Sequence, residues 1–290
     1  MDIERVGVVG AGLMGSGIAE VCARAGADVV VREPEEALLG AARARIEQSL
    51  ERAVRAGKLS AGEQDTAGGR ITYAVDWDAM ADRQLVVEAV TEDADAKTDV
   101  FRALDKVVAA DDAILASNTS SIPIMKLAMA TQRPAQVIGI HFFNPVPVLR
   151  LVELVTSLLT ADEVAGRAEA FVTSALGKRV IRSQDRAGFV VNALLIPYIL
   201  SAIRMFESGF ASRDDIDTGM VEGCAHPMGP LALADLIGLD TTQAVAASLY
   251  EEFKEPLYAP PPLLSRMVEA NLLGRKTGRG FYDYQRRAGG

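Results

Sequence analysis

Short apolar runs alternate with longer amphipathic stretches through the first 180 or so residues, and helical periodicity takes over after that. Arg5 to Val9 (Arg-Val-Gly-Val-Val) and Asp28 to Arg32 (Asp-Val-Val-Val-Arg) have the length and β-branched content of buried strands. Between them a helix pattern runs from Ser16 to about Ala25 and stops at Gly26. A second helix is predicted from Glu35 to Ala56. Strand signals recur at Leu85 to Val90, Ala113 to Ser117 and Gln136 to Ile140, separated by helical stretches at Lys97 to Val108 and Ile122 to Met129. Leu151 to Leu154 and Arg179 to Arg182 read as further strands on either side of a helix from Ala161 to Leu176. Strands that alternate with helices in this way predict a mostly parallel, doubly wound sheet.

From Ala187 the pattern is helix almost to the end, at 187–208, 213–223, 230–254 and 262–272, interrupted by His226-Pro227-Met228-Gly229-Pro230. The expected organisation is therefore an α/β domain over 1–185 and an all-α domain over 186–290. Ala187 to Ile203 is apolar enough to suggest a membrane span, but it is at the lower length limit and contains Asn192 and Pro197. It reads as a buried core helix.

The turn after the first strand sharpens the class. Gly10-Ala11-Gly12-Leu13-Met14-Gly15 sits between a strand and a helix, the context that gives a GxGxxG motif its meaning. Gly10 makes the tight turn, Gly12 lets the backbone approach a pyrophosphate, and Gly15 packs helix against strand. The first domain is thus expected to be Rossmann-like and to bind a dinucleotide, with Leu13 and Met14 at the helix N-terminus facing the phosphates. Glu33 ends the second strand, where a carboxylate accepts hydrogen bonds from the adenine ribose hydroxyls and repels a 2′-phosphate. That favours NAD over NADP, although Arg32 beside it could take a phosphate.

Composition adds exclusions. A net charge of −9 disfavours a nucleic acid or an anionic membrane as partner, so an anionic ligand would need a local basic patch. Arg45, Arg52 and Arg55 lie roughly on one face of the second helix, followed by Lys58, and form either a solvated face or a clamp for a phosphorylated ligand. Cys22 and Cys224 have no metal-ligand spacing and are expected to be reduced, with no metal site. The chain enters a strand pattern without a basic leader, so the expected compartment is the cytoplasm.

His141 is one of two histidines in 290 residues. It opens the run His141-Phe142-Phe143-Asn144-Pro145-Val146-Pro147, and Glu153 follows it. Histidine exchanges protons near neutrality and a carboxylate can orient it, so the pair reads as an acid–base group. A half-buried structural histidine at a strand end is the other reading. Glu92, Ser117-Asn118-Thr119-Ser120 and His141 all follow predicted strands, whose ends face the cofactor crevice in such sheets. His226, in a Pro-Gly turn with no acidic neighbour, reads as structural.

These residues resemble the 3-hydroxyacyl-CoA dehydrogenase family along essentially the whole chain. The resemblance rests on Gly10–Ala19, Ser117–Ser121, His141–Pro145, Gly188–Asn192, His226–Leu231 and Lys276–Tyr282. It implies an NAD-linked oxidoreductase acting on short-chain 3-hydroxyacyl-CoA and 3-ketoacyl-CoA. It implies His141 as catalytic histidine, Glu153 as its partner, Ser120 on the substrate 3-oxygen and Asn192 contributed by the helical domain. Glu92, Lys97, Asn144 and Lys276 match NAD contacts. Ser49 matches a serine at the CoA end, with Arg52, Arg55 and Lys58 as candidates for the basic residue beyond it. The family also suggests a homodimer through the helical domain. Departures are Glu33, where aspartate is commoner, and Ala193, where arginine is usual. Two alternatives are a dehydrogenase of free 3-hydroxy acids, which would place a lysine on the first long helix of the helical domain, and a non-enzymatic nucleotide-binding structural protein.

Overall fold

Residues 3–285 are described in a computed structural model of the chain, which separates after Arg186 into two units. In the first unit, β1 (Arg5–Val9), β2 (Asp28–Arg32), β3 (Ile71–Ala74), β4 (Leu85–Glu88), β5 (Ile114–Ser117), β6 (Val137–Phe142), β7 (Leu151–Thr156) and β8 (Arg179–Gln184) make one sheet. The order is β3-β2-β1-β4-β5-β6-β7-β8. Every neighbouring pair is parallel except β6 with β7. The first six strands therefore have the order of a dinucleotide-binding sheet, as the glycine turn and the strand–helix alternation predict.

Strands β4, β5 and β6 are buried at every residue. A parallel sheet covered on both faces has no solvent side, which is why these strands read as continuous apolar runs. Helices α1 (Leu13–Arg24), α2 (Glu36–Arg55), α3 (Ala61–Gly69), α4 (Ala94–Val107), α5 (Ile124–Ala128) and α6 (Asp162–Ala170) accompany them. Helix α6 continues as a π-turn over Phe171–Ala175. The core under α1 and α2 joins Val6, Val8, Ile18, Val29, Val31, Ile46, Leu85 and Ile138.

Two elements lack a sequence signal. Helix α3 buries only Ala67 and carries three glycines, so it has almost no apolar face. A capping box makes it: Ser60 Oγ accepts from the Glu63 amide at 3.2 Å, and Glu63 accepts from the Ser60 amide at 2.8 Å. Strand β3 buries Ile71 alone and closes the sheet as an edge.

The second unit holds α7 (Val191–Glu207), α8 (Arg213–Cys224), α9 (Pro230–Ile237), α10 (Leu239–Phe253) and α11 (Pro262–Glu269). Its core gathers Ile196, Ile199, Leu200, Ile203, Leu231, Leu239, Leu249, Leu264 and Phe281. Helix α7 starts later than its apolar pattern, because Gly188 and Phe189 take φ of 75° and 48°. The helix expected over 230–254 is two helices. Gly238 at φ 104° and ψ 128° cannot lie in an α-helix, and it ends α9 and begins α10. Among the described residues no helix is long and apolar enough to cross a membrane.

Candidate active site

The glycine turn is built to hold something outside itself. Gly10 has φ +87°, and a Cβ there would lie 2.7 Å from the Val90 amide nitrogen. A Cβ on Gly15 would lie 1.8 Å from the Gly10 carbonyl, so this position serves helix–strand packing. Gly12 differs: nothing lies within 4 Å of where its Cβ would be. That space is open at the N-terminus of α1, where no side chain caps the helix and no acid occupies its first turn. Uncapped amides and a positive helix end suit a pyrophosphate.

Glu33 follows β2, and its Oε1 accepts from the Ala11 amide at 2.5 Å, which brings the carboxylate against the glycine turn. Arg32 is committed elsewhere. Its Nε donates to the Val75 carbonyl at 3.0 Å, and its guanidinium lies over Trp77 at 4.0 Å. Burial lowers its pKa, with Glu33 and Asp76 opposing. Beside the glycine turn stands the Glu33 carboxylate, while the Arg32 guanidinium is held over Trp77. Arg45 on α2 and Ser16 on α1 both donate to the Ala11 carbonyl and brace the turn.

At the ends of β4 and β5 lies a network that the sequence only half discloses. Glu88 is fully buried and accepts from Lys97 Nζ at 2.7 Å, Ser117 Oγ at 2.6 Å and the Val90 amide at 2.7 Å. Lys97 is 1% exposed, so its ammonium faces inward, and it also pairs with Glu92 at 3.3 Å. Glu92 Oε1 accepts from Thr119 Oγ1 at 2.6 Å, the Ser120 amide at 2.9 Å and Ser120 Oγ at 3.1 Å. Burial alone would raise the Glu92 carboxyl, but Lys97 and these hydrogen bonds outweigh it and hold its pKa below the ordinary value. Glu92 thus ties Lys97 to Ser120. Glu88 was not foreseen; a lone acid inside the apolar Leu85–Val90 run was the available signal.

His141 does not follow β6 but lies within it, because the strand runs on to Phe142. Asn118 extends it by accepting from the Phe142 amide at 2.9 Å. In the antiparallel β6–β7 pair, His141 stands directly opposite Glu153. Paired residues project to the same face, and His141 Nδ1 lies 2.8 Å from Glu153 Oε2. The histidine is 6% exposed and the glutamate 0%. A carboxylate only accepts, so this contact puts the proton on Nδ1 and makes Nε2 the basic nitrogen. The ring of Phe143 packs against the imidazole at 4.6 Å.

Ser49, Arg52 and Asn144 line one cavity of about 240 Å³ together with Ser16, Gly17 and Glu20. Lys58 lines a larger cavity, and Arg55 lines neither. In the helical unit, Asn192 is the second residue of α7, and Lys276 is ion-paired with Asp240 at 2.5 Å. His226 Nδ1 lies 3.1 Å from the Tyr198 hydroxyl within the same unit.

A family model described as 3-hydroxyacyl-CoA dehydrogenase, NAD binding domain, matches residues 5–186. The corresponding C-terminal domain model matches residues 188–284. A protein of Mycobacterium tuberculosis named 3-hydroxybutyryl-CoA dehydrogenase is 62% identical over 282 residues, covering 97% of this chain and 99% of the relative. The crystal structure of FadB2 from the same organism has a TM-score of 0.96 at 62% identity, covering 97% of this chain and 99% of that one. The structure of (S)-3-hydroxybutyryl-CoA dehydrogenase from Ralstonia eutropha has a TM-score of 0.92 at 46% identity, covering 98% of this chain and 99% of that one.

Proposed function

The chain belongs to the 3-hydroxyacyl-CoA dehydrogenase family, and we propose that His141 and Glu153 form its acid–base pair. The enzyme is an NAD-dependent oxidoreductase that interconverts a short-chain (S)-3-hydroxyacyl-CoA and the 3-ketoacyl-CoA. NAD, when bound, supplies the nicotinamide carbon that accepts or returns the hydride at substrate C3. The open space at Gly12 and the uncapped end of α1 fit the pyrophosphate, and the Glu33 carboxylate fits the ribose.

His141 Nε2 takes the proton of the 3-hydroxyl during oxidation, and the buried Glu153 carboxylate stabilises the imidazolium that results. In reduction the imidazolium returns that proton to the forming alkoxide. Ser120, held by Glu92, positions the substrate oxygen. Glu92, with Lys97 behind it, and Asn144 complete the cofactor contacts of the first unit, and Ser49 and Arg52 attend the CoA arm. The carrying observation is the cross-strand register that puts Glu153 opposite His141.

The helical unit exposes Leu194 (71%) and Phe210 (80%), which supports a homodimer through it; sedimentation equilibrium gives the mass. The two free cysteines agree with a cytoplasmic setting, and fatty-acid or butanoate metabolism is the proposed context. A dehydrogenase of free 3-hydroxy acids is disfavoured because α7 carries no lysine. The deciding assay is oxidation of NADH and NADPH with 3-ketoacyl-CoAs of increasing length, ending with free acetoacetate. Turnover of acetoacetyl-CoA with NADH and none of free acetoacetate is expected. The reverse result would overturn the reading.

A further inference from the structure

Strand β5 pairs with β6 through Leu115, Ala116 and Ser117, and the last of these stands opposite Gly139. Strand β6 continues through Ile140, His141 and Phe142. Along that stretch β7 is its one strand neighbour among the described residues. The segment that carries the histidine is therefore an edge, yet His141 and Phe142 are 6% and 3% exposed. An N–H on an exposed edge can turn to water. A buried one needs a protein acceptor, and leaving it without one is costly.

Asn118 stands where β5 would have continued. Its own amide donates to the Glu88 carbonyl at 2.9 Å, which prolongs the pairing of β4 with β5 by one residue. Its side chain then turns to β6, and Oδ1 accepts from the Phe142 amide at 2.9 Å. An N–H only donates, so the carboxamide oxygen must face it, and this settles the orientation of the side chain. The bond grips the planar peptide unit that joins His141 to Phe142. Phe142 packs into the core on one face of the strand, while His141 projects from the other toward Glu153. A tilt of that peptide would swing the imidazole.

The root of Asn118 is firm. Ser117 before it donates to the buried Glu88 carboxylate at 2.6 Å, and the Ser120 amide after it donates to Glu92 at 2.9 Å. One residue thus has Ser120 on its own loop and His141 on the strand that it holds. We infer that Asn118 is a positioning residue for the reaction: it ties the His141–Phe142 peptide to the loop of Ser120, and so sets how proton acceptor and oxygen ligand face one substrate atom. The inference rests on the acid–base reading of His141. Asn118 acts through the backbone and need touch neither substrate nor cofactor.

The test compares the full chain as wild type, Asn118→Ala and Asn118→Asp, with acetoacetyl-CoA and NADH, each at its own pH optimum. Alanine removes the acceptor, and aspartate keeps a carboxyl oxygen in the place of Oδ1. In Asn118→Ala kcat is expected to fall at least roughly tenfold, since misplacing a reacting group by about 1 Å costs on the order of 10²-fold. Its KM for NADH should stay within about twofold of the wild type, the pattern of a group that acts on the chemical step. Asn118→Asp should recover most of the lost kcat. Hydrogen exchange at the Phe142 amide, followed by NMR without substrate or NADH, should quicken in Asn118→Ala and slow again in Asn118→Asp. A role in stability alone would lower the melting temperature and leave kcat per folded molecule unchanged. Wild-type kcat in Asn118→Ala, no recovery with aspartate, or exchange at Phe142 that ignores the substitution overturns the inference. Should Asn118→Ala not fold, Asn118→Ser, whose hydroxyl falls short of the Phe142 amide, is held to the same readouts. His141→Gln separates the two failures. Near-normal turnover there removes the acid–base assignment and the role of Asn118 with it, whereas an inactive His141→Gln beside a fully active Asn118→Ala removes the role of Asn118 alone.

Discussion

His141 and Glu153 are twelve residues apart in the chain and 2.8 Å apart in the fold. Replacing either by glutamine keeps volume and removes the proton exchange or the stabilising charge. We expect kcat to fall at least roughly 10²-fold in His141→Gln and Glu153→Gln, with circular dichroism unchanged. Near-normal turnover in either would end the assignment. Glu92 makes a prediction of opposite character. Its pKa is depressed in the folded state, so its contribution to stability is present above the ordinary glutamate value, near 4, and is lost as pH falls through the folded one. Urea midpoints of the wild type should therefore drop more steeply below pH 4 than those of Glu92→Gln. Parallel curves would show that Glu92 does not carry the effect. Residue types of this kind were legible because a rare histidine and a following acid stand out in any sequence. Glu88 was not, since one acid in an apolar run shows what it does only when its lysine is seen beside it.

At the scale of elements, the turn between β1 and α1 separates two uses of glycine. Gly15→Ala drives a Cβ into the Gly10 carbonyl, and Gly12→Ala meets nothing. The first variant should lower the melting temperature or prevent folding. The second should melt like the wild type but raise the KM for NADH at least roughly tenfold, because its methyl enters the space proposed for the pyrophosphate. If Gly12→Ala leaves that KM unchanged, the space has another use. The elements that pattern missed were those with little apolar surface. Helix α3 exists through its cap and its packing on α1, and β3 through pairing with β2. The break between α9 and α10 was hidden because the pattern is apolar on both sides of Gly238 and the turn rests on one backbone conformation.

At the scale of the molecule, the helical unit is closed by the chain that follows it. Asp235 on α9 accepts from the Phe281 and Tyr282 amides, each at 2.9 Å, and from the Tyr284 hydroxyl at 3.0 Å. Burial and then Asp235 push Tyr284 up to about 12, and burial and then Asp217 raise Tyr282. A group whose folded pKa is raised gives stability that is complete below its unfolded value and is lost as pH rises through the folded one. Melting temperature should thus decline from about pH 10 toward pH 12, and less so in Tyr284→Phe. Equal decline in both would place the cause elsewhere. The sequence by itself determined the dinucleotide turn, most of the sheet and the helical second half. Each is written in local spacing, and local spacing fixes backbone geometry. Only the tertiary structure decided that Arg32 lies on Trp77, that Lys97 faces inward to Glu88, and that Lys58 joins Arg24, Arg70 and Lys178 around one chamber. Side chains from distant segments meet only when helices and strands have packed, and that packing sets which way a long charged side chain can point.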